Sequence, residues 1–255
     1  MEGKCVSTKK NNGVCAITHE RPPANFLNIA SMKEFIEAVK QAETDPEVKV
    51  ITIRGGGKFF SAGVDVADHT EALAKPMADT FDELLNALMY GTKPKIAVVK
   101  GLALGGGCEL IAFCDIVYAS DKAKFGQPEI DVGVFPAPAA AIFPKLVGLK
   151  NAFEMILTGN TISAAEARIM GLINKVFPED QIEEEVDKLT GSLCSKSSIV
   201  LNLTRKAILS AKDADLKNGL KTTAQIYEHE LMKTEDAKTG IEAFLNKKQP
   251  VWKNK

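Results

Sequence analysis

The stretch Lys100-Gly-Leu-Ala-Leu-Gly-Gly-Gly-Cys-Glu-Leu-Ile-Ala-Phe-Cys-Asp-Ile-Val-Tyr-Ala119 decides how this chain is read. A β-branched run, 96–99, leads into it and predicts a buried strand. Three glycines, Gly105, Gly106 and Gly107, follow, and then an apolar run of helical character at 108–113. A strand, a glycine turn and a helix start together leave free backbone N–H groups at the helix N-terminus. Those groups and the helix dipole can hold an anion, or an oxygen on which negative charge is building. Glu109 sits just inside that helix, among Leu110, Ile111 and Phe113. A glutamate there either complements the dipole or faces something reactive, and this stretch alone leaves both readings open.

Two further stretches bear on the choice. Gly55-Gly-Gly-Lys-Phe-Phe-Ser-Ala-Gly-Val-Asp65 follows another β-branched run, 48–54, so again a strand end meets glycines that allow close approach to the main chain. Phe125-Gly-Gln-Pro-Glu-Ile130 supplies a second carboxylate, Glu129. On these residues the chain resembles the crotonase (enoyl-CoA hydratase/isomerase) superfamily. The matching pieces are Phe60-Ser-Ala-Gly-Val-Asp65, Gly105-Gly-Gly-Cys-Glu109 and Phe125-Gly-Gln-Pro-Glu129. Leu157-Thr-Gly159, Ser163-Ala-Ala-Glu-Ala167 and Gly171-Leu172 add to them. The likeness runs from Val14 to the C-terminus with the motifs in order. Each motif is weak alone, and their order makes the set specific. The resemblance implies an α/β, crotonase-like (ClpP/crotonase) fold of stacked ββα units with a C-terminal helical region.

Composition fits such a reading. The chain has 255 residues, 45% apolar and 25% charged, which suits a soluble globular protein. The formal net charge of −1 gives no support to nucleic-acid binding or to attraction by a membrane surface. No run of 18 apolar residues occurs, so no transmembrane helix is expected. The first 13 residues are polar and carry lysines, unlike a secretory signal. The five cysteines include no Cys-x-x-Cys pair, and free thiols in a reducing cytoplasm are the simplest expectation.

Along the chain, 14–19 reads as a first strand. Ser31-Met-Lys-Glu34 reads as a capping box opening an amphipathic helix, with Met32, Phe35, Ile36 and Val39 at helical spacing. A strand follows at 48–53. The segment 66–75 has no clean period and reads as a mobile loop or a frayed helix. Met77, Phe81, Leu84, Leu85 and Leu88 mark a second amphipathic helix. Short strands are expected at 116–119 and 173–177. The segment 132–144, rich in alanine and proline, takes no assignment. Ser163-Ala-Ala-Glu166 is a second capping box. From Glu179 onward only helices are expected, at 179–194, 197–212, 214–233 and 235–246. The domain reading is therefore a crotonase-like core, 1–194, and a C-terminal helical oligomerisation region, 195–255.

The resemblance also implies a chemistry. In crotonases a thioester oxygen lies between two backbone N–H groups, which here belong to Val64 and Gly106, an oxyanion hole. Two glutamates flank the substrate double bond in the hydratases, and Glu109 and Glu129 occupy those positions as catalytic residues. Glu129 would exchange the proton at the α-carbon, and Glu109 would orient and deprotonate the water. Relatives that isomerise, hydrolyse or decarboxylate often keep one of the two or neither. Coenzyme A is implied as part of the substrate, with no other cofactor and no metal. Its contacts would be Ala24, Ala62, Val64, Asp65, Val66, Ala67, Gly106 and Pro136. Partners implied are an acyl-CoA thioester and further copies of the chain in a homotrimer or a homohexamer, with no nucleic acid and no membrane.

Other site classes lack their residues. The histidines His19, His69 and His229 are scattered without ligand spacing. No phosphate-binding loop, dinucleotide fingerprint or Gly-x-Ser-x-Gly elbow is present. One departure bears on substrate. Common fatty enoyl-CoA hydratases carry a glycine-rich loop after the second glutamate, where this chain has Val134-Phe-Pro-Ala-Pro-Ala-Ala-Ala141. Methyl groups and a proline ring stand where glycines would line the acyl pocket, and Pro138 removes one N–H donor. This segment and Arg21-Pro-Pro-Ala-Asn25 resemble the cyclohexa-1,5-diene-1-carbonyl-CoA hydratases of anaerobic benzoyl-CoA degradation. The alternatives are a short-chain enoyl-CoA hydratase, an isomerase or another acyl-CoA lyase of the same fold, and a non-catalytic RNA-binding or scaffolding protein.

Overall fold

The structure is a computed structural model and describes residues 4–255. The chain forms two compact units. One runs through Gly91 and takes Lys95–Lys188; the other takes Thr92–Pro94 and Leu189–Lys255.

The first unit is built on a six-stranded sheet. Its strands are β1 (Val6–Asn11), β2 (Val14–His19), β3 (Val50–Gly55), β4 (Lys95–Val99), β6 (Ile116–Ser120) and β9 (Lys175–Phe177), in the order β1-β2-β3-β4-β6-β9. All neighbours are parallel except β1 and β2. Between β2 and β3 the chain makes α1 (Ile29–Thr44), and between β3 and β4 it makes α2 (Ala74–Tyr90). These two helices pack on each other. Met32, Phe35, Ile36 and Val39 of α1 and Phe81, Leu84, Leu85 and Leu88 of α2 are buried with Ile51, Ile53, Ala97 and Val99 of the sheet. The apolar spacing in both helices thus becomes one core, worth about 25 cal/mol per Å² of apolar surface removed from water.

A second, three-stranded sheet carries the decisive stretch. Its strands are β5 (Leu102–Leu104), β7 (Lys124–Gly126) and β8 (Ile162–Ser163), with β5 and β7 parallel and β7 and β8 antiparallel. The strand that enters the glycine turn is therefore β5, not the run 96–99. The chain leaves β4, turns at Gly101 and crosses to the smaller sheet before reaching α3 (Gly106–Ala112).

Four local expectations are corrected. Strand β1 lies ahead of the first strand expected, and polarity hides it: only Val6 of its six residues is buried. It is an exposed edge strand, joined to β2 through Asn12 and Gly13, both at positive φ as a two-residue hairpin turn requires. Helix α1 is capped by Asn28 with Ser31 at its third position, so Ser31 is the reciprocal partner and not the cap. Glu34 instead accepts the N–H groups of Cys5 and Val6 at 2.8 and 3.1 Å. The alanine–proline segment, left without an assignment, opens α4 (Ala137–Leu146). Proline is tolerated in a first turn, where its missing N–H would have had no partner, and alanine is the best helix former. The segment 66–75 holds a 3-10 turn, Val66–His69, capped by Asp65, and then enters α2.

The capping box at Ser163 and Glu166 forms as expected and opens α6 (Ala164–Ile169), which follows α5 (Leu149–Thr158). After α7 (Ile182–Cys194), the second unit contains α8 (Ser198–Ala211), α9 (Leu216–His229) and α10 (Glu235–Leu245). Ser197, Asp215 and Thr234 cap these three. Its C-terminal residues are tied down: the buried Asp236 carboxylate accepts the Lys253 and Asn254 N–H groups at 2.7 and 2.9 Å. The Trp252 indole donates to the Ser195 carbonyl at 2.8 Å. Among the described residues no helix is long and apolar enough to cross a membrane.

Candidate active site

Gly105 carries φ 49° and ψ −126°, a conformation open to glycine, and it turns β5 directly into α3. Glu109 lies in the first turn of that short helix, and its N–H donates to the Gly105 carbonyl at 2.8 Å. The side chain points into the fold, where Glu109 is 3% exposed. One carboxylate oxygen accepts the Ala139 N–H at 2.8 Å, from the first turn of α4. Pro138 does lack an N–H, but the next residue supplies the donor.

Glu129 comes from another direction. It stands in the 3-10 turn Pro128–Val132 that follows β7, and it is half-buried. Its carboxylate rests on Gly105: a Cβ added there would lie 2.6 Å from Glu129 Oε1. The two carboxylates expected from the sequence thus converge on one end of α3. Burial pushes the Glu109 carboxyl up to about 8, the Glu129 charge pushes the same way, and the Ala139 N–H opposes them. Burial likewise pushes Glu129 up to about 7. Near neutral pH the pair therefore tends to hold one proton between two carboxyls, the state in which one gives and the other takes.

Beside the carboxylates lie the two main-chain donors. A Cβ on Gly106 would stand 2.7 Å from Val64 Cγ2 and 3.3 Å from Val64 N, so only a glycine lets these two segments meet. Among the described residues neither the Val64 nor the Gly106 N–H has an acceptor. Two such donors side by side can hold one oxygen as negative charge develops on it, and losing one such donor costs roughly 3–4 kcal/mol in well-studied enzymes.

The remaining sequence candidates surround the Val64 side. Ala62 donates its N–H to the Ala24 carbonyl at 2.9 Å, which joins those two residues. Asp65 engages its carboxylate with Arg21 at 2.8 Å and with the Ala67 N–H at 3.2 Å, which draws it below the usual carboxylate range against the effect of burial. Val66 and Ala67 are exposed in the 3-10 turn, and Pro136 is buried just ahead of α4. Sequence reasoning missed the roles of Arg21, Asn25 and Ser61, which tie this region together. Asn25 is buried and held at φ 56°, a region that asparagine enters more readily than most residues. Among the described residues no group of three or more His, Cys, Asp or Glu side chains could hold a metal ion.

Residues 9–255 match the family model described as enoyl-CoA hydratase/isomerase. The chain belongs to this family. Curated relatives include a probable mitochondrial enoyl-CoA hydratase of Dictyostelium discoideum, 36% identical over 98% of this chain and 92% of the relative. The 2,3-dehydroadipyl-CoA hydratase of Escherichia coli K12 is 36% identical over 95% of this chain and 96% of its own length. Among solved structures, human enoyl-CoA hydratase domain-containing protein 3 superposes with a TM-score of 0.93 at 32% identity, covering 97% of this chain and all of that one (100%). The fold is that of the enoyl-CoA hydratase/isomerase family, as the motif order implied.

Proposed function

We propose that the protein is an enoyl-CoA hydratase-type hydro-lyase that adds water reversibly to a double bond conjugated to a CoA thioester. One observation carries this reading: Glu109 and Glu129 converge beside the acceptor-free N–H groups of Val64 and Gly106. The thioester oxygen sits between the two N–H groups. Glu109 holds the water and takes its proton as the oxygen bonds to the β-carbon. The π electrons move toward the thioester oxygen, where fixed donors meet the developing charge without reorganising. Glu129 then delivers a proton to the α-carbon. One water is added, one carboxyl has gained a proton and the other has lost one. Dehydration uses the opposite protonation state, and no redox or metal step enters. The CoA portion runs along Ala24, Ala62 and 64–67, with Asp65 fixing the segment through Arg21.

The acyl group proposed is a compact ring, cyclohexa-1,5-diene-1-carbonyl. Its support is the Pro136-Ala-Pro-Ala139 start of α4, whose last residue donates its N–H to Glu109 and which carries methyl groups and a proline ring where the common hydratases have glycines. The second reading, a straight short chain, draws on the names of the relatives. Purified protein is supplied with crotonyl-CoA and cyclohexa-1,5-diene-1-carbonyl-CoA in parallel, following loss of conjugated thioester absorbance and product mass. Preference for the ring supports the first acyl group, and preference for crotonyl-CoA replaces it with the second. Inactivity on both rejects hydration.

A homotrimer or homohexamer built through the helical region 195–255 completes the reading. Leu216 and Leu220 on α9 and Phe244 and Leu245 on α10 are exposed apolar side chains suited to such packing. The cytoplasmic assignment draws on five cysteines, none of which forms a disulfide among the described residues.

A further inference from the structure

The Val64 N–H is left without an acceptor while its neighbours are all bonded. Ala62 donates to the Ala24 carbonyl, Asp65 donates to the Leu27 carbonyl at 2.9 Å, and the Gly63 carbonyl accepts the Leu27 N–H at 2.8 Å. The Gly63 N–H donates to the Ser61 hydroxyl at 3.2 Å, and that hydroxyl donates to the Asn25 carbonyl at 2.7 Å. Segment 24–27 is thus a template against which 61–65 is laid, and it leaves one donor pointing elsewhere. The template is itself clamped by one side chain. Asn25 Oδ1 accepts the Arg21 N–H at 2.9 Å, and Asn25 Nδ2 donates to the Gly56 and Phe59 carbonyls at 2.8 and 2.7 Å. Asn25 is 3% exposed and Ser61 is 2% exposed, so these bonds face no competition from water.

We propose that Asn25 is a positioning residue for the hydration reaction: its side chain locks the template that aims the Val64 N–H at the substrate carbonyl. This rests on the reading of Val64 and Gly106 as an oxyanion hole. A misaim of this donor weakens an interaction strongest in the transition state, so the loss falls on kcat more than on KM.

The test uses Asn25→Gly, which keeps the positive φ while removing every side-chain bond, and Ser61→Ala, which removes one link and disturbs packing less. Turnover is measured with whichever thioester is hydrated by the unaltered protein, and the bound carbonyl is read as the infrared stretch of its carbonyl-13C form. In the unaltered protein the stretch is expected to fall on binding. Asn25→Gly is expected to lower kcat on the order of 100-fold, the scale of a roughly 1 Å misplacement, with KM within about threefold and the stretch moved back toward its value in water. Ser61→Ala moves both in the same direction by less, and it decides the matter should Asn25→Gly fail to fold. An unmoved stretch, or a change confined to melting temperature and KM, overturns the positioning role. No fall of the stretch in the unaltered protein overturns the oxyanion reading itself, a separate result.

Discussion

Glu109 and Glu129 are the same side chain in two different settings, and the contrast explains how one site can both give and take a proton. Glu109 is carried on the first turn of a helix, is 3% exposed and is gripped by the Ala139 N–H. Glu129 is carried on a 3-10 turn, is half-buried and lies against the bare face of Gly105. The deeper group also feels the charge of the shallower one, so its carboxyl is pushed further, to about 8 against about 7. Between those two values the single proton rests on the deeper Glu109, the form from which dehydration starts, and hydration starts from the form with the proton on Glu129.

The largest effect that could break this contrast is loss of hydration. Glu109→Gln and Glu129→Gln should each lower kcat on the order of 100- to 10,000-fold, the range of a lost general acid or base, while CoA-ester binding persists. A Gln variant that keeps normal turnover would remove its carboxyl from the mechanism. The next effect is the pH profile. Below about 7 both carboxyls are protonated and no base is left, and above about 8 both are ionised and no acid is left. The kcat/KM profile should be a bell with its maximum between, falling about tenfold per pH unit on each side. A flat profile from pH 6 to 9 would contradict the shared proton.

A smaller effect sharpens the comparison through stability. Both carboxyls start from an ordinary value of 4.5 and are raised in the folded protein. Between 4.5 and the raised value the folded chain holds a proton the unfolded chain has released, so each group costs stability as pH rises through that window. Glutamine does not titrate. Glu109→Gln should therefore raise the melting temperature relative to the unaltered protein as pH climbs from about 4.5 to about 8, with no difference below about 4.5. Glu129→Gln should do so less, with its gain complete by about 7. Equal gains, or a loss at pH 8, would mean that the two settings do not differ as described.

Much of this was legible in the residues. The glycine turns, α1, α2 and the helices after Glu179 follow from apolar spacing and glycine placement, whereas both carboxylates came from the order of motifs that resembles the family. Strand β1 escaped because an edge strand with one buried residue carries no alternation to read. Strands β5, β7 and β8, of three, three and two residues, are too short for any period. Helix α4 escaped because its first half is alanine and proline with no apolar period, and proline reads as a breaker both at Pro138 in the first turn and at Pro144 inside the helix. The Ala139 grip on Glu109 and the Asn25 clamp were out of reach for a further reason. Both run from or to main-chain atoms of segments 30 or more residues apart, and main-chain atoms leave no mark on residue type.

The most direct test of the contrast separates the two carboxylates by a half-reaction. A saturated acyl-CoA, such as butyryl-CoA, is incubated in deuterated water with each Gln variant, and deuterium uptake at the α-carbon is followed by mass. With Glu129 serving the α-carbon and Glu109 serving the water, Glu109→Gln keeps exchange within a few fold of the unaltered protein, while Glu129→Gln loses it on the order of 100-fold or more. Exchange kept by Glu129→Gln and lost by Glu109→Gln would contradict the assignment.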